Sequence, residues 1–390
     1  MAVSVNARDG SLNSLQPIVW SKIDLITRYN QVGAFTLTLP PTEQNWTLSD
    51  VTDLGVVVDW NGVYQFTGTV ETFNPQKQID DSTGQITETI TLAGADDLAL
   101  VANRIAYPDP SKTWPNQLTT SQDAQTAVKC ESAIKHYVNL NAGPGAISTR
   151  QAPHLTVATD SARGGTVTYL ARLADGTDLS LMDIARTLIA TGGPMGVSVT
   201  QTGGSLVFDV YIPRDLSKTA WFSYALGNLR AHNLSTTTPT CTNALVRGTS
   251  TFVEVTDGSV DGWTRTEVLV DQSSTTDATT MTQAGQDAIT QGAGAAALTM
   301  TPIDLPLLSF GTGYGLGDTV TVEIRDGVTY TDIVSQVELV ADATGTNYIE
   351  TATPTVGLTS TDLGDNQTAT ALLAAKVRKL ERLLLQLQAG

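Results

Sequence analysis

An alternation of apolar and polar residues between positions 206 and 229 gives the clearest structural signal in the chain. Leu206, Phe208, Val210 and Ile212 would lie on one face of an extended segment, and the residues between them would lie on the other. This period of two is typical of a β-strand with one apolar face. Two glycines before the strand predict a hairpin, and a Pro-Arg-Asp sequence after it predicts a turn.

Residues 1–105 are predicted to form a β-barrel-like domain that a short helix closes. An Asn-Gly pair at positions 61–62 separates two β-rich runs, which is the strongest short signal for a hairpin. Leu98, Val101 and Ile105 would share one face of the closing helix. Closing a small barrel in this way would remove the unpaired edges of the sheet.

Residues 106–231 are predicted to form a mixed α/β insert. The apolar spacing predicts a helix over residues 121–140, with Cys130 on its buried face and His136 off that face, toward solvent. A second helix is predicted over residues 178–191, where a Gly-Gly-Pro sequence ends it. The two strands around the glycine hairpin follow.

Residues 232–357 return to β patterning and predict a second β-barrel-like domain. Residues 281–298 are rich in Ala and Gln and suggest a helix, which three glycines weaken. An alternating strand begins at Val320, and an Asp-Gly turn at 326–327 leads into further strands. The predicted fold class is therefore α+β and mostly β, with two barrel-like domains around the α/β insert.

Residues 358–390 are predicted to form a polar linker and a short C-terminal coiled-coil helix. An isolated helix of this length is marginal in water, so it should be held by oligomerisation or by another protein. Additional leucines widen its apolar face, and self-association and docking on a partner both remain open, as does folding back onto its own domain. The heptad seam predicted as the oligomer or partner interface consists of Leu373, Val377, Leu380, Leu384 and Leu387.

Composition limits the classes of function. The net charge of −17 over 390 residues argues against a nucleic-acid-binding surface of the usual kind, although residues 366–390 carry four basic residues and one acidic residue. Cys130 and Cys241 form neither a CxxC motif nor a metal spacing with histidine, and they are interpreted as unpaired thiols. The sequence predicts synthesis in the cytoplasm, with no signal peptide and no membrane span.

No motif predicts catalytic, cofactor-binding or metal-binding residues. The chain has no P-loop, HExxH or GxSxG sequence. The glycine-rich run at 311–317 lacks the GxGxxG register and precedes a strand, so it predicts a turn rather than a dinucleotide site. The Asp96-Asp97 pair is interpreted as a helix cap or turn rather than a glycosidase pair. We therefore expect a non-enzymatic protein without cofactors.

Five segments, in their order and spacing, resemble the minor tail proteins of long-tailed (siphovirus-type) actinobacterial phages, the tail-tip or baseplate hub family. The resemblance spans roughly residues 15–355, and none of its motifs is specific alone. The segments are WSKIDLITRYNQVGAFTLTLP from residue 20, ITLAGADDLALVANRI from residue 90, IKHYVNLNAGPGAISTR from residue 134, the strand with PRDLS, WFS and LGNL over 206–229, and YGLGDTVTVEI from residue 314.

This resemblance implies a structural protein of the virion, made in the host cytoplasm, that forms the hub closing the distal end of the tail tube. It implies a homotrimer, because the barrels of three copies would alternate in a ring with pseudo-sixfold symmetry. The implied partners are the distal tail protein ring, central fibre or tip proteins, the tape-measure protein, and genomic DNA that passes an acidic lumen without specific binding.

Two other functions stay open at this point. A receptor- or glycan-binding minor tail protein would use exposed tryptophans, which must then cluster on one face. A cell-wall-degrading tail enzyme is the less favoured alternative, because the sequence lacks the motifs of such enzymes.

Overall fold

The structure is a computed structural model, and it describes residues 3–79, 86–172, 179–258, 262–273, 275–294, 296–303, 305, 307–345 and 348–358. The chain divides into two compact units, each discontinuous in sequence. The first unit contains Met1–Ala231, Met300–Val322 and Thr331–Pro354, and the second contains His232–Thr299, Glu323–Tyr330 and Thr355–Gly390.

Most of the described secondary structure is β, which confirms the predicted mostly β class. The strands are β1 (Ser4–Arg8), β2 (Ser14–Pro17), β3 (Lys22–Arg28), β4 (Ala34–Leu39), β5 (Gly55–Trp60), β6 (Tyr64–Ile79), β7 (Ile86–Asp96), β8 (Gln122–Lys129), β9 (Leu155–Val157), β10 (Thr166–Arg172), β11 (Gly196–Thr202), β12 (Ser205–Tyr211), β13 (Trp221–Phe222), β14 (Leu229–Thr236), β15 (Asn243–Arg247), β16 (Phe252–Thr256), β17 (Glu267–Asp271), β18 (Ala296–Pro302), β19 (Thr319–Arg325), β20 (Val328–Asp342) and β21 (Ile349–Leu358).

The helices are fewer and short. The α-helices are α1 (Glu43–Trp46), α2 (Ala99–Ala102), α3 (Cys130–Asn141), α4 (Leu181–Gly192) and α5 (Ala278–Gln291), and 3-10 turns lie at Thr47–Asp50, Trp114–Asn116 and Ser148–Arg150.

A large antiparallel sheet organises the first unit. Its strands follow the order β20-β3-β4-β7-β6-β5-β1-β2. Residues in β3 alternate between buried and half-buried positions, and Ile23 and Leu25 are fully buried. Leu37 and Leu39 of β4 and Leu92 of β7 are equally buried. One face of the sheet therefore forms a core, as the period of two requires.

The predicted hairpin at Asn61 and Gly62 is confirmed. Strands β5 and β6 pair from Gly55↔Thr69 to Trp60↔Tyr64. Asn61 and Gly62 have φ angles of 58° and 73°. Only Gly, and to a lesser extent Asn, adopts this left-handed conformation readily, so the local sequence determines the turn.

The barrel-like closure predicted for residues 1–105 and 232–357 is not formed by the described strands. In the first unit the strand order is an open path that ends at the four-residue strand β2. The β6–β7 ladder shifts register between Val70 and Thr72 and continues to Ile79↔Ile86, past the pairing of either strand with its other neighbour. The far end of the β6–β7 pair therefore extends beyond the rest of the sheet as a two-stranded ribbon, and the described strands leave the sheet open.

The α/β insert packs on a separate core in the first unit. Strand β8 pairs antiparallel with β10, and β12 lies between β11 and β9. Helices α3 and α4 pack against these strands through buried residues that include Ile134, Tyr137 and Leu188. The predicted hairpin at 203–204 joins β11 to β12 and is confirmed. Ile212, predicted to lie on the apolar face of β12, instead follows the strand and is 54% exposed.

The helix predicted over residues 121–140 is half wrong. Residues Gln122–Lys129 form strand β8, and the helix begins only at Cys130. Ala127 has a φ of 53°, which is incompatible with a right-handed helix. Pairing with β10, about 40 residues later, overrides the helical spacing, because tertiary context outweighs local propensity. The second predicted helix, 178–191, is confirmed as α4.

The second unit contains a three-stranded sheet covered by one helix. Strand β15 pairs antiparallel with β16 and parallel with β17. Met281 and Ile289 of α5 belong to the small buried core beneath this sheet. The helix predicted over 281–298 ends at Gln291, because residues Ala296–Thr299 pair with β21.

Candidate functional site

The residues predicted from sequence as the oligomer or partner interface lie outside the described part of the chain. These residues are Leu373, Val377, Leu380, Leu384 and Leu387, and the described chain ends at Leu358 in β21. The candidate sites therefore lie in the described residues of the two units.

A cavity of about 420 Å³ lies within the first unit. Its size falls in the range of ligand-binding clefts, which is roughly 300–1,000 Å³. It forms where the large sheet, strand β11 and the glycine-rich loop before β19 come together. The polar and aromatic residues that line it are Thr27, Arg28, Tyr64, Gln65, Phe66, Thr67, Asp96, Ser198, Thr200, Tyr211, Arg214, Phe310 and Asp318.

Asp96 brings a carboxyl group to this cavity. Its two oxygens accept hydrogen bonds from the Gly33 N–H at 2.8 Å and the Leu98 N–H at 3.1 Å. Burial raises the pKa of Asp96 to about 6, and the neighbouring carboxyl of Asp97 adds to the increase. Asp97 itself is buried and accepts from Arg8 Nη2 at 2.5 Å. The pair therefore lies in a turn, one of the two roles interpreted from sequence, whereas the cap of α2 is Leu98 and has no side-chain cap hydrogen bond.

The aromatic residues that line the cavity include Tyr64, Tyr211 and Phe310. The Tyr64 and Phe310 rings lie 4.9 Å apart, and the Tyr211 hydroxyl donates to the Leu316 carbonyl at 3.2 Å. Burial raises the pKa of both tyrosines well above the ordinary value, so they stay neutral donors at any physiological pH. These side chains connect sheet, insert and loop, and they provide no nucleophile and base in contact.

Asp318 connects two of the segments that carry the family resemblance. Its Oδ1 accepts from the Arg214 N–H at 2.7 Å, and its Oδ2 accepts from Arg214 Nε and Nη2 at 3.0 and 2.6 Å. Its Oδ2 also accepts from the Gly315 N–H at 2.9 Å. The turn after β12 is thereby joined to the glycine-rich loop. The run at 311–317 is a turn before a strand, as predicted.

A buried ionic network in the insert was not predicted from sequence. Glu131 is fully buried and accepts from Arg163 Nε at 2.8 Å and from Lys135 Nζ at 2.7 Å. Lys135 also contacts Asp209 at 2.7 Å. Hydrogen bonds from Arg163 and Lys135 hold the pKa of Glu131 far below its usual range. The only local signal was the four-residue spacing of Glu131 and Lys135 on one helix face.

The histidines and cysteines form no reactive pair. His136, predicted to point toward solvent, is half-buried, and its Nε2 lies 2.9 Å from Asp123 Oδ1. Cys130 is fully buried, as predicted, and burial raises the pKa of its thiol to about 11. Cys241 is also buried and unpaired, with a raised pKa. Thiols of this kind are inert core residues.

The tryptophans differ in exposure. Trp60 is buried in the core of the first unit, and the Trp114 ring lies 5.3 Å from that of Tyr107. Trp46 lies 6.2 Å from Phe73, and Trp263, in the second unit, is 98% exposed.

Within the described ranges, no group of three or more His, Cys, Asp or Glu side chains is placed to hold a metal ion. None of the helices in the described part of the chain has the length and hydropathy needed to cross a membrane.

The fold is shared with phage tail proteins. The structure is similar to the 43 kDa tail protein of prophage MuSo2 from Shewanella oneidensis, with a TM-score of 0.53 and 16% identity over 94% of this chain and 100% of that one. It is also similar to a tail protein from Neisseria meningitidis MC58, with a TM-score of 0.52 and 12% identity over 94% of this chain and 99% of that one. The chain thus has a tail-protein fold.

The sequence identifies the family more closely. Residues 4–357 match the family model described as Siphovirus ReqiPepy6 Gp37-like protein, and the chain belongs to this family. A comparison with curated proteins gives no match.

Proposed function

We propose that the chain is a structural tail protein that forms the tail-tip hub and closes the distal end of the tail tube. The observation that carries the proposal is the family match over residues 4–357. The similarity in fold to two prophage tail proteins over nearly the whole chain supports it.

The hub is a homotrimer in this proposal. Its sheet-rich segments, residues 1–105 and 232–357, make the ring that stacks on the distal tail protein, and residues 106–231 project toward the lumen. Central fibre or tip proteins attach below the ring, and the tape-measure protein ends above it. The C-terminal seam around Leu380 makes contacts between copies or with the next tip component.

The charge of the chain supports a passage for DNA. The net charge of −17 would repel the phosphate backbone at close range, so DNA could slide through the ring without binding. The basic residues at 366–390 are the exception, which suggests that this segment is covered by protein in the assembly.

The oligomeric state tests the proposal in solution. Molar mass is measured by light scattering on the full chain and on a chain that ends at Leu363. The proposal predicts a trimer for the full chain and a lower mass for the shortened one. A monomer for the full chain across the accessible concentration range would contradict the homotrimer.

A further inference from the structure

The second unit presents a sheet face that no described residue covers with a second layer. Strands β16, β15 and β17 place Phe252, Leu245 and Leu269 on the face opposite α5, where they form a diagonal apolar stripe. Phe252 is 79% exposed and Leu269 is 68% exposed. We call this surface, with its flanking charged residues, the open sheet face.

The two faces of this sheet differ in their burial. The opposite face carries Ala244, Val246 and Val255, which pack beneath α5. Strand β17 runs parallel to β15 and β16 runs antiparallel to it, so the sheet is mixed. Exposed large apolar side chains that lie next to one another mark an interaction surface. A second helix on the open sheet face would complete a three-layer arrangement.

We propose that the C-terminal segment of a second copy of this chain, residues 366–390, docks on the open sheet face. The inference rests on the proposed homotrimer and identifies the surface that receives its C-terminal seam. The leucine spacing of the segment predicts an amphipathic helix with a wide apolar face. That face matches an apolar stripe on a sheet better than a polar surface.

The charges of the two surfaces are complementary. The segment carries four basic residues and one acidic residue, whereas residues 232–299 carry seven acidic residues and two basic ones. Glu254, Glu267 and Asp271 flank the apolar stripe. Arg265 lies against Glu254 and Glu267, at 2.7 and 2.6 Å, and Arg247 lies 3.9 Å from Asp271, so the three carboxylates and two guanidinium groups leave this face with one net negative charge. Basic residues beside the leucine seam would meet this acidic rim.

The length of the chain permits the contact. Leu358 pairs with Ala296, and the carbonyl of nearby Gly292 accepts from the Thr240 N–H at 2.7 Å, three residues before β15 begins. The described chain thus ends within about 30 Å of its own sheet, and the 14 residues of 359–372 can span up to roughly 50 Å, so the segment can extend past its own unit to the same face of a neighbouring copy. If the segment of each copy binds the open sheet face of the next copy in the same rotational direction, three such contacts close a ring.

Cross-linking between two differently tagged copies tests the proposal. One copy carries Leu269→Cys, the other carries Leu380→Cys and a heavier tag, and both are produced together and treated with a short bis-maleimide. The native cysteines are buried and have raised thiol pKa values, so they react slowly. The proposal predicts a covalent heterodimer that contains both tags.

A matched control uses the other side of the same unit. Gln286 is exposed on α5, which covers the opposite face of the sheet, so Gln286→Cys should give little heterodimer. Equal yields from Leu269→Cys and Gln286→Cys would overturn the proposal. A Leu269→Cys/Leu380→Cys double variant that cross-links only within one chain would also overturn it, because the segment would then occupy its own sheet.

A non-covalent variant gives an independent result. Phe252→Ser with Leu269→Ser changes only exposed side chains, so thermal unfolding should be little altered while the trimer dissociates at least about tenfold more readily. Light scattering on the unmodified chain separates the two possible failures. A monomeric unmodified chain would contradict the proposed homotrimer. A trimer whose dissociation is unchanged by these substitutions, and which gives no cross-linked heterodimer, would contradict only the proposed docking surface.

Discussion

Arg214 and Asp318 lie 104 positions apart in the chain, form a two-point ion pair and both line the cavity of the first unit. The Asp318 carboxylate accepts from the Arg214 backbone and guanidinium groups, and it is only 4% exposed. The Arg214 side chain is 53% exposed. This pair joins the turn after β12 to the start of β19, so it connects the insert to the large sheet.

The two partners are expected to contribute unequally to stability. Asp318→Ala leaves several donors without their acceptor, and we expect it to lower the free energy of unfolding by about 2–3 kcal/mol. Arg214→Ala removes the exposed partner but keeps the backbone hydrogen bonds, so we expect a loss of about 1 kcal/mol or less. Urea unfolding of both variants measures this difference. Equal losses would show that the carboxylate is not the organising group.

The Glu131 network predicts a loss of stability in acid. Because hydrogen bonds depress the folded-state pKa of Glu131, its contribution is fully present above the unfolded value near 4.5 and is lost as the pH falls below it. Glu131→Gln should cost about 3 kcal/mol at neutral pH, since it removes the buried carboxylate that binds Arg163 and Lys135 and leaves both cations only the half-exposed Asp209. Thermal melts from pH 7 to 3 should show a shallower acid slope for the variant, and parallel slopes would contradict this assignment.

Asp96 predicts the opposite pH dependence. Its folded-state pKa is raised to about 6, so the folded state binds more protons than the unfolded state between about pH 4 and 6. Its contribution to stability is therefore fully present below about pH 4 and declines as the pH rises through 6. Carbon-13 NMR titration of the side-chain carboxyl should give a midpoint near 6, and a midpoint near 3.8 would refute the buried environment.

A cross-strand glycine should be essential for the cavity wall. A Cβ atom at Gly196 would lie 2.1 Å from Tyr211 Cζ, because the two residues pair across β11 and β12. Gly196→Ala should displace the Tyr211 ring and lower the free energy of unfolding by about 1–3 kcal/mol. The matched control is Gly204→Ala in the same hairpin, where a Cβ meets nothing within 4 Å and the change should stay within about 0.5 kcal/mol. Equal effects would contradict the packing.

The sequence pattern correctly predicted those turns and strands whose conformation depends on neighbouring residues. The Asn61-Gly62 turn needs positive φ angles, and the strand at 206–211 needs only its alternation, so both followed from sequence. Residues 122–129 were misassigned because their partner strand begins at Thr166, and a helical spacing cannot reveal it. The barrel closure was wrong because the local apolar pattern does not indicate which distant strands pair, such as β20 with β3, and the observed pairing leaves the sheet open.

The cavity could not be predicted from the sequence either, because it also depends on contacts between distant segments. Its lining comes from segments near residues 27, 64, 96, 211 and 318, which only the folded chain brings together. Arg214 and Asp318 both lay in segments that carried the family resemblance, yet nothing in either segment indicated their pairing. The Asp96-Asp97 interpretation succeeded because a turn role depends on neighbouring backbone groups.

Electron microscopy of phage particles that carry this chain with a gold-binding tag tests the central claim most directly. The hub account predicts label only at the distal end of the tail, with averaged images showing three copies around the axis. Label along the tail tube, at the head, or on side fibres away from the axis would contradict it.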